Sequence, residues 1–228
     1  MTDSALRELA DDPSSRKRFF KMLGGAGAVS AFSVALAACG DDKTSVKPVA
    51  VAKASADSNT SDLEILNYAL TLEFLEADFY KQVIDSGMVK DPKVGSIAKK
   101  FGSTEQEHVD ALIATIKKLG GKPVTAPKSN FGPTFDKGLM ATLEAAADVE
   151  NLGAAAYLGQ AGNITNKEVL AAALAIHSVE ARHAAALNTL VGRGFGGKGG
   201  LKGALPDGAF GKPMDMKAVL AAVKPFLA

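Results

Sequence analysis

Cysteine is almost missing from this sequence and tryptophan is entirely missing: Cys39 is the sole thiol in 228 residues. One cysteine excludes an internal disulfide and a thiolate-built metal cluster. Aromatic residues make up only 6%, and no segment alternates apolar and polar residues for long enough to form a strand, which argues against a sandwich or barrel. Neither basic nor acidic residues predominate. The formal net charge is +1, and the lysines near the C-terminus are spaced too widely for a basic patch, so no nucleic-acid partner is expected. Apolar residues are abundant at 47%, enough for a real core at this length, and heavy use of alanine favours closely packed helices.

The first forty residues read as an export signal. A basic stretch, Ser15-Arg-Lys-Arg-Phe-Phe-Lys21, precedes the uncharged run Met22 to Ala38, which is rich in Gly, Ser and Ala. That composition suits a signal peptide better than a permanent membrane span. The stretch resembles a twin-arginine signal, except that Lys17 replaces the second arginine, so general secretory export stays open. Leu36-Ala37-Ala38-Cys39 resembles a bacterial lipobox, which implies lipidation of Cys39 and a membrane anchor at the cell envelope. The alternative is a small apolar cysteine in a signal that is simply removed. Residues 1–39 are thus the signal, and the polar, Ala-rich residues 40–60 a flexible tether.

From Ser61 the pattern turns helical. Four long helices are expected, at about Asp62–Ser86, Pro92–Leu119, Asp136–Ala161 and Asn166–Val191, with Pro92 at a favoured first-turn position and glycines after the first two. Between the second and third lies Gly120 to Phe135, with three prolines and no helical pattern. A helix of this length runs roughly 40 Å at about 1.5 Å per residue, and about 16 extended residues cover about 50 Å. The connector can therefore traverse the bundle and start the third helix parallel to the second. One long crossover between two helical hairpins is ferritin-like connectivity. The expected fold is all-α: a four-helix bundle over 61–191, then a glycine-rich segment and short C-terminal helix over 192–228.

Each helix carries an apolar stripe interrupted near its middle. The rows are Leu66, Leu70, Glu73, Ala77, Tyr80, Ile84; Phe101, Glu105, His108, Leu112, Ile116, Leu119; Leu139, Leu143, Ala146, Glu150, Gly153, Tyr157, Ala161; and Val169, Ala173, Ile176, Glu180, His183, Leu187, Leu190. Steps of three or four place each row on one face. Isolated buried carboxylates cost several kcal/mol, and four together would mostly be protonated. Two divalent cations would cancel four carboxylates while both imidazoles stay neutral. Glu and His three apart stand on adjacent turns and reach one centre together. The halves also repeat: Glu73 and Tyr80 are seven apart, as are Glu150 and Tyr157, and each pair is followed by a Glu-x-x-His motif, Glu105–His108 and Glu180–His183. A pseudo-twofold would bring these six ligands to one level.

The segment Leu66-Asn-Tyr-Ala-Leu-Thr-Leu-Glu-Phe-Leu-Glu-Ala-Asp-Phe-Tyr80, together with both Glu-x-x-His motifs, resembles the ferritin-like domain family that includes bacterial and plant desiccation-related proteins. The C-terminal stretch from Met216 to Phe226 is similar to that family's ending. The resemblance implies Glu73, Glu105, His108, Glu150, Glu180 and His183 as ligands of two iron ions, with manganese as the alternative. It also implies terminal roles for Glu73 and Glu150, bridging roles for Glu105 and Glu180, and one histidine per metal. Oxygen or peroxide would be the small-molecule substrate of a ferroxidase, peroxidase or catalase-like centre. The alternative function is a metal-free stress or desiccation scaffold. A lipid tether and the C-terminal appendage oppose a closed storage cage and leave a dimer open.

Other polar residues read more simply. Glu76 is an alternative bridging ligand or, by preference, a hydrogen-bonded or partly exposed side chain; Glu144 lies on a similar adjoining row. His177 suits a satisfied core histidine better than a group supporting the ligands. Tyr80 and Tyr157 either hydrogen-bond ligand carboxylates or simply pack. Glu107 and Asp110 share a solvated face. Gly192 to Gly199 nearly matches a phosphate loop, but it lacks the Ser/Thr and follows a helix.

Overall fold

A computed structural model describes residues 61–197 and 202–228. The expected export signal, Cys39 and the expected tether lie outside the described residues, among which no helix is long and apolar enough to cross a membrane. The described helices are α1 (Asp62–Asp85), α2 (Pro92–Lys118), α3 (Gly132–Phe135), α4 (Leu139–Gln160), α5 (Lys167–Leu190) and α6 (Met216–Val223), followed by a 3-10 turn at Lys224–Phe226. The chain forms a ferritin-like helical bundle.

Local chemistry sets the helix starts. Ser61 and Glu64 form a reciprocal capping box, with Ser61 N donating to Glu64 Oε2 at 2.7 Å. Asp91 caps α2 ahead of Pro92, and Asn166 caps α5. The Asp62 carboxylate accepts from the backbone N–H groups of Thr165 and Asn166, both at 2.8 Å, which ties the start of α1 to the start of α5.

Two apolar clusters hold the bundle. One joins Leu66 and Leu70 at the start of α1, Leu112 and Ile116 at the end of α2, Tyr157 at the end of α4 and Val169 at the start of α5. The ends of α2 and α4 therefore meet, so these helices run parallel, as a long crossover requires. The other joins Leu75, Phe79 and Val83 of α1 with Ala98, Ala146, Leu187, Phe131, Val219 and Val223.

The crossover travels along α1. Asn67 accepts from Val124 N at 2.8 Å near one end, and Gln82 donates to Ser129 Oγ at 3.0 Å near the other. It is not wholly irregular, because Gly132–Phe135 forms a single helical turn that packs Phe131 and Phe135 against Phe79. Gly138, at φ 93°, then breaks the path, and α4 starts at Leu139 instead of near Asp136.

The expected stripes need two corrections. Ile84, Leu119 and Leu190 are exposed because they fall at or just past helix ends, where no neighbour remains to cover them. In the other direction, α1 buries a second row, Leu72, Leu75, Phe79 and Val83, beneath the crossover and α6. The C-terminal helix is thus part of the core, with Val219 and Val223 buried and Met214 N donating to Ala155 O at 3.0 Å. In the glycine-rich segment after α5, described residues on either side pair: Leu205 N donates to Gly194 O at 3.1 Å and Gly196 N to Leu205 O at 2.8 Å.

Candidate metal centre

All six residues singled out by the interrupted stripes converge between the clusters. Glu73, Glu105, Glu150 and Glu180 are wholly buried, while His108 and His183 retain 8% and 7% exposure. The centre therefore meets solvent, if at all, along the imidazole-bearing faces of α2 and α5. The donors form two overlapping groups within 4.8 Å of one another: Glu73, Glu105, His108 and Glu180, and Glu105, Glu150, Glu180 and His183. Glu105 and Glu180 belong to both.

The centre is short of protons. His108 Nδ1 lies 2.9 Å from Glu105 Oε2 and 3.1 Å from both Glu73 Oε2 and Glu180 Oε1. One ring nitrogen carries at most one hydrogen and cannot serve three acceptors. His183 Nδ1 lies 2.8 Å from Glu105 Oε1 and 3.3 Å from Glu150 Oε2, without hydrogen-bond geometry to either. Buried and unpaired are Glu105 Oε1, Glu150 Oε2 and both oxygens of Glu180. Native proteins rarely strand so many polar atoms in one place. A pair of cations would satisfy all of them, so the residues present fit a dinuclear metal site.

Electrostatics agree with that reading. Burial holds the Glu180 carboxyl well above its ordinary range, and the charges of Glu73, Glu150 and Glu105 add to the effect. Burial likewise raises Glu73 and Glu150. Burial works in the same direction on Glu105, but His108 and His183 outweigh it and bring the group down to about 2. Burial should lower the imidazoles, yet the carboxylates around them win, raising His183 to about 9 and His108 further.

The tyrosines resolve in favour of contact with the carboxylates, and the contacts are crossed. Tyr80 on α1 donates to Glu150 Oε1 on α4, while Tyr157 on α4 donates to Glu73 Oε1 on α1 at 2.5 Å. Each hairpin thus orients a carboxylate of the other. Phe101, on the same inward row as Glu105 and His108, stacks on His183 with ring centroids 3.8 Å apart and planes 19° apart.

Glu76 departs from the expectation of partial exposure. It is 3% exposed, neither partly solvated nor peripheral, although it stands outside both donor groups. The signal that would have found it is the register of the halves, in which Glu76 and Gly153 occupy the same place, three residues after Glu73 and Glu150. Glu144 is exposed. His177 is half-buried on a row that includes the exposed Leu174, and its Nδ1 pairs with Ala154 O at 2.9 Å. Glu107 and Asp110 are on the exposed face of α2.

Comparison with curated proteins finds no match. Residues 61–193, more than half of the chain, match the family described as a ferritin-like domain. That span contains both helical hairpins, the crossover and every residue of the buried carboxylate–imidazole cluster, and the chain belongs to the ferritin-like domain family.

Proposed function

We propose that this chain is a dinuclear metal protein of the cell envelope, holding two iron ions, or manganese in their place, and anchored by a lipid at Cys39. The observation that carries the metal reading is the pair of overlapping donor groups in the core, with four carboxylate oxygens left unpaired. Carboxylate-rich, imidazole-poor ligation suits hard, redox-capable ions better than zinc or copper.

Glu105 and Glu180, which belong to both groups, would be held in common by the two ions. Glu73 with His108 completes one end, and Glu150 with His183 the other. Tyr157 and Tyr80 fix the orientation of Glu73 and Glu150 through their hydrogen bonds. Ile176, Leu112 and Leu187, each one turn along the helix from Glu180, His108 and His183 respectively, are themselves buried. Iron or manganese bound there supplies redox chemistry toward oxygen or peroxide, or toward ferrous iron as a substrate. With one cysteine in the chain, a rubredoxin-type relay is absent and electrons come from outside it.

The test is metal content. Full-length protein from iron- or manganese-replete cells is expected to carry two ions per chain by elemental analysis. A folded chain that takes up neither metal would overturn the proposal and leave a metal-free scaffold. Anchoring has its own test. Wild-type protein should partition into a detergent phase and Cys39→Ala into the aqueous phase; identical partition of the two refutes the lipid.

A further inference from the structure

The two halves of the site differ where their sequences are in register. Glu73-x-x-Glu76-x-x-x-Tyr80 faces Glu150-x-x-Gly153-x-x-x-Tyr157, so one hairpin brings a carboxylate where the other brings no side chain. The omission is spatially linked to the addition. A Cβ built on Gly153 would lie 2.9 Å from Glu76 Oε1 and 2.9 Å from Glu180 Oε2. Both oxygens therefore border the one gap that glycine leaves open, and any larger residue would push them out of it.

That gap lacks a donor on the Glu180 side. Glu180 is wholly buried, its Oε2 has no hydrogen-bond partner, and it faces the same space as a second buried acid. Two acid oxygens turned toward one small space call for a positive charge between or beside them. Glu180 already belongs to both donor groups, so a cation near it lies within the site described above.

We propose that Glu76 is a fifth carboxylate ligand of the metal pair, entering beside Glu180 through the space that Gly153 leaves free. This rests on the two-metal reading and makes the site asymmetric. Four carboxylates balance two divalent ions. A fifth suits a pair of higher total charge, so Glu76 adds most to binding when one or both ions are trivalent.

The experiment compares Co(II) binding to full-length wild type, Glu76→Gln and Gly153→Ala, using calorimetry and the visible absorption of bound Co(II), with circular dichroism to confirm folding. Wild type should bind two ions. Glu76→Gln should still fold and bind, with affinity for one ion reduced on the order of tenfold and an altered Co(II) spectrum from the lost oxygen ligand. Gly153→Ala should shift both oxygens that border the gap, Glu76 Oε1 and Glu180 Oε2, and so lower affinity and alter the spectrum at least as much as Glu76→Gln, a second reading if Glu76→Gln folds poorly. Two ions bound with the wild-type spectrum and affinity in both variants would overturn Glu76 as a ligand and leave the six-residue site intact. No ion bound by folded wild type would sink both.

Discussion

The hairpin α1–α2 and the hairpin α4–α5 are near repeats, and the informative positions are those where they part. Glu73 and Glu150, Glu105 and Glu180, His108 and His183, and Tyr80 and Tyr157 correspond, and the tyrosines cross between hairpins to the opposite carboxylate. Glu76 has Gly153 as its counterpart, and Phe101, stacked on His183, has the buried Ile176 as its own. Symmetry gives each half of the cluster the same set of two carboxylates, an imidazole and a tyrosine. The departures give one half an additional acid and one imidazole an aromatic cover, so the two halves of the cluster are inequivalent.

The comparison breaks most visibly at the shared carboxylates. Glu105→Ala or Glu180→Ala should cost both ions, whereas Glu73→Ala or Glu150→Ala should leave about one, as elemental analysis of purified protein will read. If all four lose the same number, the division into shared and end ligands fails. Loss of saturating metal also removes its stabilisation, about 4 kcal/mol for metal at a thousand times its dissociation constant.

Acidity separates the metal-free from the metal-loaded protein. Glu180, Glu76, Glu73 and Glu150 are all raised above their ordinary 4.5 by burial. Their contribution to metal-free stability is complete below about pH 4.5 and is lost as pH climbs through the raised values. His183, raised to about 9 by the carboxylates despite burial, loses its contribution as pH approaches that value. Glu105 acts oppositely, contributing above 4.5 and losing it as pH falls toward about 2. The melting temperature of metal-free protein should therefore fall from pH 5 to 8. The increment given by metal should grow over the same range, because the ligands bind deprotonated. An increment that shrinks with pH would count against carboxylate ligation.

A smaller effect tests the crossed tyrosines. Tyr80→Phe and Tyr157→Phe each remove a hydrogen bond to a buried carboxylate, at a cost of about 1.5–3 kcal/mol in metal-loaded protein by denaturant titration. Equal losses would support the twofold; a large loss at one alone would show that the halves differ here too. The smallest change is expected at the third histidine. His177→Ala removes one bond to the Ala154 carbonyl from a half-buried site, costing about 1 kcal/mol with unchanged metal content. Loss of metal in that variant would bring His177 into the centre.

Much of this site was legible in the sequence because its ligands interrupt apolar rows at helical spacing. Glu105, His108, Glu180 and His183 stand out as charge where an inward face should be greasy, and their faces follow from the helical period alone. Glu76 did not stand out because the expected row passes through Ala77, one position on, while the bundle turns Glu76 toward Gly153 and Glu180; the second buried row of α1, Leu72, Leu75, Phe79 and Val83, was hidden for another reason. The crossover and α6 cover the far side of α1, and a sequence does not show which distant segment will lie on a helix. The start of α4 slipped for a local reason: Gly138 at positive φ stops a helical pattern that Asp136 and Lys137 would tolerate.

Short-range spacing and side-chain chemistry set the four long helices, most of the inward rows and the near repeat, so these could be read along the chain. The tertiary structure alone decided which carboxylate meets which imidazole, which tyrosine crosses to which acid, and that Glu76 shares a gap with Glu180 across from Gly153. Those pairings depend on how far four helices slide and turn against one another. That displacement is set by packing among residues far apart in the chain, and no local pattern encodes it.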